Sequence, residues 1–122
     1  MFSQPDYVAS KKMLDATVMR QEAIASNLAN LETPGYKRVD VSPSFQSQLS
    51  QAVASGNPAQ IAAIQPELAV DTQAVSSRTD GNTVQLENEM LKLNQNMIEH
   101  TLETQLVSNT MWRMRLAITG KS

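Results

Sequence analysis

His100 is the lone histidine of this 122-residue chain, with Glu99 beside it and Glu103 one helical turn further on. Imidazole and carboxylate so placed could begin a metal site, but no other metal-type ligand follows at usable spacing, and none is expected. Asp80, Gly81 and Glu87 match the fifth, sixth and twelfth places of an EF-hand calcium loop. Its first and third places fall on Ser76 and Arg78, and a cation where a carboxylate is needed repels calcium, so helix capping explains the same residues better. The serines have no histidine or lysine at motif spacing, there is no glycine-rich phosphate loop, and the chain has no cysteine. No catalytic residue, cofactor or metal is expected, and nothing argues for an enzyme. Lys37 and Arg38, after Tyr36, read as charges that keep an edge strand soluble rather than as a contact for an acidic surface.

The composition points to helix packing instead. One Trp, two Tyr and two Phe are few for a sandwich or barrel. The formal net charge is -2, with basic residues singly or in pairs, so nucleic acid is not an expected partner. No apolar run approaches the ~18 residues that span a bilayer, and the opening MFSQPDYVASKK has no signal-peptide core, so a soluble, uncleaved protein is expected. A membrane-surface role would require a lysine-rich polar face, which the methionine-rich second helix lacks.

Two long helices must position whatever these residues do. The first is expected from Pro5, a favoured first-turn residue, with Asp6 near the positive end of the dipole, to about Leu31. It stops because Pro34 pushes Thr33 out of the α region and Thr33-Pro34-Gly35-Tyr36 suits a type II turn. Residues 36–41 then alternate as a short extended arm. The second helix is expected over residues 82–119, about 57 Å long, with Asn82 as N-cap, Gln85 three residues on, Glu87 and Glu89 near its positive end, and Gly120 closing it. Arg113, Arg115 and Lys121 are expected to complement its negative end. In the polar middle, Phe45, Leu49, Ala52 and Val53 predict a short amphipathic helix ended by Ser55-Gly56. Asn57-Pro58 predicts a further turn and Leu68-Ala69-Val70 a brief strand.

The expected fold is mainly α. Two long terminal helices pair as an antiparallel coiled-coil-like hairpin, with a short extended segment and a partly irregular polar middle. Residues 1–35 form the N-terminal helix and turn, 36–79 the arm and variable middle, and 80–122 the C-terminal helix, one structural unit with the first. On helix one, Leu14, Thr17, Gln21, Ile24, Leu28 and Leu31 make the main stripe, beside a narrower one of Ala16, Met19, Ala23, Ser26 and Asn30. Helix two carries a heptad series of Leu91, Ile98, Leu102, Gln105, Asn109, Trp112 and Leu116. A second, one residue out of phase, runs through Met90, Leu93, Met97, His100, Thr104, Val107, Met111, Met114 and Ile118. Two seams need more than one partner. The main seams are expected to face each other and the second to be covered by neighbouring copies; the competing reading covers it with residues 44–70 of the same chain.

SNLANLETPGYKR resembles the N-terminal signature of bacterial flagellar rod and hook axial proteins. DGNTVQLENEMLKLNQN, with the helix that runs on to AITG, is similar to the C-terminal region of the proximal-rod members of that family. The resemblance covers residues 10–41 and 79–120. By position it assigns Asn27, Asn30, Thr33, Pro34, Gly35 and Tyr36 to the first motif and Asp80, Gly81, Asn82, Val84 and Glu89 to the second. Asn96 matches too, whereas His100 stands where the family tends to have tyrosine. The resemblance implies a structural rod subunit, exported without a cleaved signal peptide through the flagellar type III apparatus. It would assemble in the periplasm with copies of itself, other rod proteins and the adaptor of the inner-membrane ring. Asn27 and Asn30 are expected to bond backbone or neighbouring subunits at the helix end. The rival reading is a soluble coiled-coil adaptor or secretion chaperone, which would purify as a stable, fully helical dimer.

Overall fold

A computed structural model describes residues 4–76 and 78–119. Helix α1 spans Gln4–Ala29, strand β1 Val39–Val41, α2 Pro43–Ser55, α3 Pro58–Ala62, strand β2 Leu68–Val70, and α4 Leu86–Thr119. The molecule is mainly helical, and its two long helices run antiparallel: Asn27 of α1 meets Glu89 near the start of α4, and Thr17 meets Asn96 further along.

Local chemistry sets the boundaries of the middle elements. Pro43 and Pro58 each open a helix where a missing N–H leaves nothing unsatisfied. Asn57 caps α3 by accepting from the Ala59 amide, and Gly56, at φ +71°, closes α2 in the left-handed conformation. Strands β1 and β2 form an antiparallel pair with Val39 opposite Val70, Asp40 opposite Ala69 and Val41 opposite Leu68.

The apolar core lies where the polar composition of the middle did not announce it. Ala16, Val41, Phe45, Leu49, Ala52 and Ile61 form one buried cluster, with Val8, Met13, Met19 and Ile64 against its edge. The narrow stripe of α1 faces this cluster: Ala16 and Ala23 are buried because small side chains let the middle segment approach the helix.

Helix α4 begins four residues later than Asn82, at Leu86, with the Glu89 amide donating to the Gln85 carbonyl. At 34 residues it is about 51 Å long. Its last turn holds no basic residue, since Arg113 and Arg115 precede that turn. Gly120 and Lys121 lie outside the described residues.

The expected pairing of main seams is corrected. The face that α4 turns to α1 carries Glu89, Leu93, Asn96, Glu103, Val107 and Thr110, all buried or half-buried. Leu91, Ile98, Leu102 and Trp112 are instead 55–63% exposed, and Leu116 is half-buried. On α1, Ile24 is buried and Leu14 and Leu28 are half-buried, as is Leu31 in the turn that follows. The competing expectation, that residues 44–70 cover the second seam, also fails: the middle packs on α1, while Met90, Met97, Met111, Met114 and Ile118 remain exposed. Hydrogen bonds explain which face won. Glu89 and Asn96 find definite partners on α1 in Asn27 and Thr17, and an apolar stripe in their place would forfeit those bonds.

Candidate functional site

The residues of the two motifs lie in one place, at the closed end of the hairpin. The turn after α1 has its Thr33-to-Tyr36 hydrogen bond at 3.2 Å, and Gly35 sits at φ +73°, as the third residue of a type II turn requires. Turned back by it, the chain runs alongside α1. There Asn27, fully buried, donates from Nδ2 to the Val39 carbonyl and accepts at Oδ1 from the Val39 amide, both at 2.9 Å. Its amide thus stands in for a neighbouring strand along the edge of β1. Asn30 donates to the Ser26 carbonyl at 2.9 Å, and its Oδ1 accepts from the Thr33 hydroxyl at 3.0 Å. The Tyr36 hydroxyl lies 3.1 Å from Ser26 Oγ and 3.4 Å from Asn27 Oδ1. Both asparagines bond within their own chain. Pro34 is exposed and acts through the turn alone.

The second motif closes over the first. Asn82, expected as an N-cap, instead caps the C-terminal end of α1. Its Nδ2 donates to the carbonyls of Asn30, Leu31 and Thr33 at 2.9, 3.2 and 2.8 Å. These carbonyls belong to the turn that follows α1, so the one side chain ties that turn together. The Asn82 Oδ1 accepts from the Val84 amide at 2.7 Å, and Val84 is buried beside it. Asp80 accepts from the Asn82 amide at 2.9 Å and pairs with Arg78 at 3.0 Å, so the carboxylate considered for calcium already faces a cation. Gly81, at φ +79°, presents its carbonyl to Lys37 Nζ at 2.7 Å. The Thr83 amide donates to the Tyr36 carbonyl and the Thr83 hydroxyl accepts from the Arg38 amide, joining the two segments edge to edge.

Arg38 is the residue that sequence reasoning misplaced. It is no edge-strand charge: it is buried to 4% exposure and binds Glu89 at 2.7 Å and Asp71 at 2.6 Å, with Asp40 at 3.4 Å. Glu89 is fully buried and also accepts from Asn27 Nδ2 at 3.2 Å, so α1, β1 and α4 meet at one carboxylate. Burial alone would lower the guanidinium pKa, but the bonds and charges of Glu89, Asp71 and Asp40 outweigh it, and the group stays protonated. Burial likewise works to raise the Asp71 carboxyl, yet Arg38 and the Gln73 amide hold it below its ordinary value. Arg20 extends the chain of charge, at 3.2 Å from Asp40 and 3.5 Å from Glu99. The signal that would have found Arg38 is the need of the motif acid Glu89 for a cation once buried.

His100 sits outside this knot. Its Nδ1 is 2.9 Å from Thr17 Oγ1, whose hydroxyl also reaches the Leu14 carbonyl at 2.7 Å. No nucleophile, acid–base pair or phosphate cradle emerges from the knot. What the arrangement does is fix, through buried polar bonds, the angle at which a turn, an arm and two long helices meet, and leave one side of α4 apolar.

A hairpin so braced, with an apolar helix face outward, defines a helix-packing structural protein. The family model described as flagella basal body rod protein matches residues 14–37. Over 125 residues the chain is 26% identical to the flagellar basal body rod protein FlgB of Borrelia hermsii, covering 88% of this chain and 90% of that protein. Together the two matches support a structural rod component of the flagellar basal body. Among the described residues, no helix is long and apolar enough to cross a membrane.

Proposed function

We propose that this chain is a proximal-rod subunit that polymerises through its terminal helices and transmits torque across the periplasm. In this reading it acts structurally rather than catalytically, reaches the periplasm through the flagellar type III apparatus, and packs against copies of itself, other rod proteins and the inner-membrane ring adaptor. The motif residues from Asn27 to Tyr36 and from Asp80 to Glu89 hold the subunit's shape, and Leu91, Ile98, Leu102, Trp112 and Leu116 supply its contacts.

The exposed face of α4 carries the reading. Leu91, Ile98, Leu102 and Trp112 run along most of a long helix, with Met97, Met111 and Ile118 beside them, all open in the single chain. Contiguous exposed apolar surface on this scale marks an interaction site rather than a solvated helix. The knot supports the same reading, because a subunit under torque needs its long elements fixed at their junction.

Trp112→Ala tests it. Losing a buried aromatic contact between subunits removes ~3 to 5 kcal/mol, while a residue this exposed in the monomer contributes little to its folding. Export of the variant is expected to persist while rod completion and swimming fail. Equal loss of export and swimming would place Trp112 in the stability of the monomer, and normal swimming would refute the contact.

A further inference from the structure

Beside the contact between Thr17 and Asn96, the surface between α1 and α4 opens into a groove of about 460 Å³. Val18 and Met97 line it and are half exposed, at 48% and 56%, while Thr17 and Asn96 lie buried at its base. Glu22 and His100 stand on its lining as well.

Asn96 is 2% exposed, and its Nδ2 donates to the Thr17 carbonyl at 2.8 Å. Its Oδ1 meets no donor: among the described residues it is the single buried side-chain nitrogen or oxygen without a partner. A buried acceptor left unpaired is destabilising, and the groove is apolar around it, so the group that fits must bring one hydrogen-bond donor on a large apolar body. Tryptophan has that makeup without an acceptor of its own to satisfy, an indole ring with a single N–H, whereas the tyrosine hydroxyl also accepts. The chain has one, Trp112, and it is 58% exposed.

We propose that the groove receives Trp112 of a second copy of this chain, the indole between Val18 and Met97 and its Nε1–H on Asn96 Oδ1. The proposal rests on the subunit reading above and specifies one of its contacts. Met97, unbranched and flexible, is the wall that yields to let the ring reach the acceptor. Charge agrees: Glu22 in the groove and Arg113 and Arg115 beside Trp112 enter none of the ion pairs among the described residues. Docking brings these opposite signs together. Asn96 and Trp112 are 16 residues apart, about 24 Å along α4 and roughly 160° around it. Knob and socket therefore face nearly opposite sides of α4, so one two-fold interface does not hold both contacts and the contact repeats head to tail.

The lone tryptophan makes the contact observable. Purified protein is titrated upward in concentration, with sedimentation velocity and tryptophan emission recorded together. Association into an open series of species, with a blue shift and reduced acrylamide quenching, is the expected result. Val18→Asp alters an exposed wall without touching the knot, and is expected to weaken association at least tenfold with its circular dichroism unchanged. Trp112→Phe keeps the ring and loses the N–H, and is expected to weaken it at least tenfold by sedimentation. Association with unshifted emission, wild-type association by either variant, a single closed dimer, or no association at all overturns the groove contact. None of these touches the subunit reading, which is judged separately by export and swimming.

Discussion

At the scale of single residues, the junction depends on Glu89. Its carboxylate accepts from Asn27 of α1 and from Arg38 of the arm, and Arg38 is nearly as buried as it is. Removing one partner of such a pair leaves the other charge in a poor solvent, which destabilises by ~3 to 5 kcal/mol. Asp71 and Asp40 still face the arginine, so Glu89→Gln is expected to lie near 3 kcal/mol, read as a lowered urea midpoint with unchanged slope. Glu103 behaves in the opposite sense. Burial first, and the nearby Glu99 second, raise its carboxyl above its ordinary value. The folded state thus binds this proton more tightly than the unfolded chain does. Its unfavourable contribution is fully present above the folded value and fades as pH falls through it. Glu103→Gln is expected to stabilise by up to about 0.5 kcal/mol at pH 7, with the gain vanishing in thermal melts near pH 4. Residue identity foretold the asparagines better than the arginine. A short amide at a helix end has a local use that sequence reveals, whereas the burial of Arg38 depends on Asp71 and Glu89, 33 and 51 residues further along the chain.

At the scale of elements, local signals were reliable and facing was not. Pro43, Gly56, Asn57 and the Leu68–Val70 run set their own boundaries because caps, breakers and β-prone residues act on neighbours. The start of α4 shifted because Asn82 gives its side-chain amide to three carbonyls of the turn after α1. Periodicity located both apolar seams of α4 without saying which face meets α1; that choice went to Glu89 and Asn96, which bond Asn27 and Thr17 on α1 and which no hydrophobic pattern marks. The turn offers a sharper test. A Cβ on Gly35 would meet the Asp80 carbonyl oxygen no closer than 3.9 Å, so space is not the obstacle; the positive φ is. Gly35→Val is expected to lose ~1 to 3 kcal/mol through backbone strain and to impair swimming. Ser50→Ala on the exposed side of α2 is expected to change neither. Normal motility and stability in the valine variant would count against the turn.

At the scale of the whole molecule, the buried apolar cluster draws every member from residues 8–64, and α4 supplies none of them. Helix α4 is held by polar bonds at its start and along one face. A molecule assembled this way has two cooperative units of unequal strength, and the weaker one is the helix that carries the outward face. In native-state hydrogen exchange, amides of α4 beyond residue 100 are expected to open at a free energy below that of α1 and α2, whose protection should approach the global value. Uniform protection across both long helices would show a single unit instead. The same inequality sets an order in time. Residues 4–71 can collapse as soon as they exist together, whereas the contacts of α4 close loops of more than fifty residues and must come last. The surface with most to lose from sticking too early is therefore the last part of the chain to be given a fixed place.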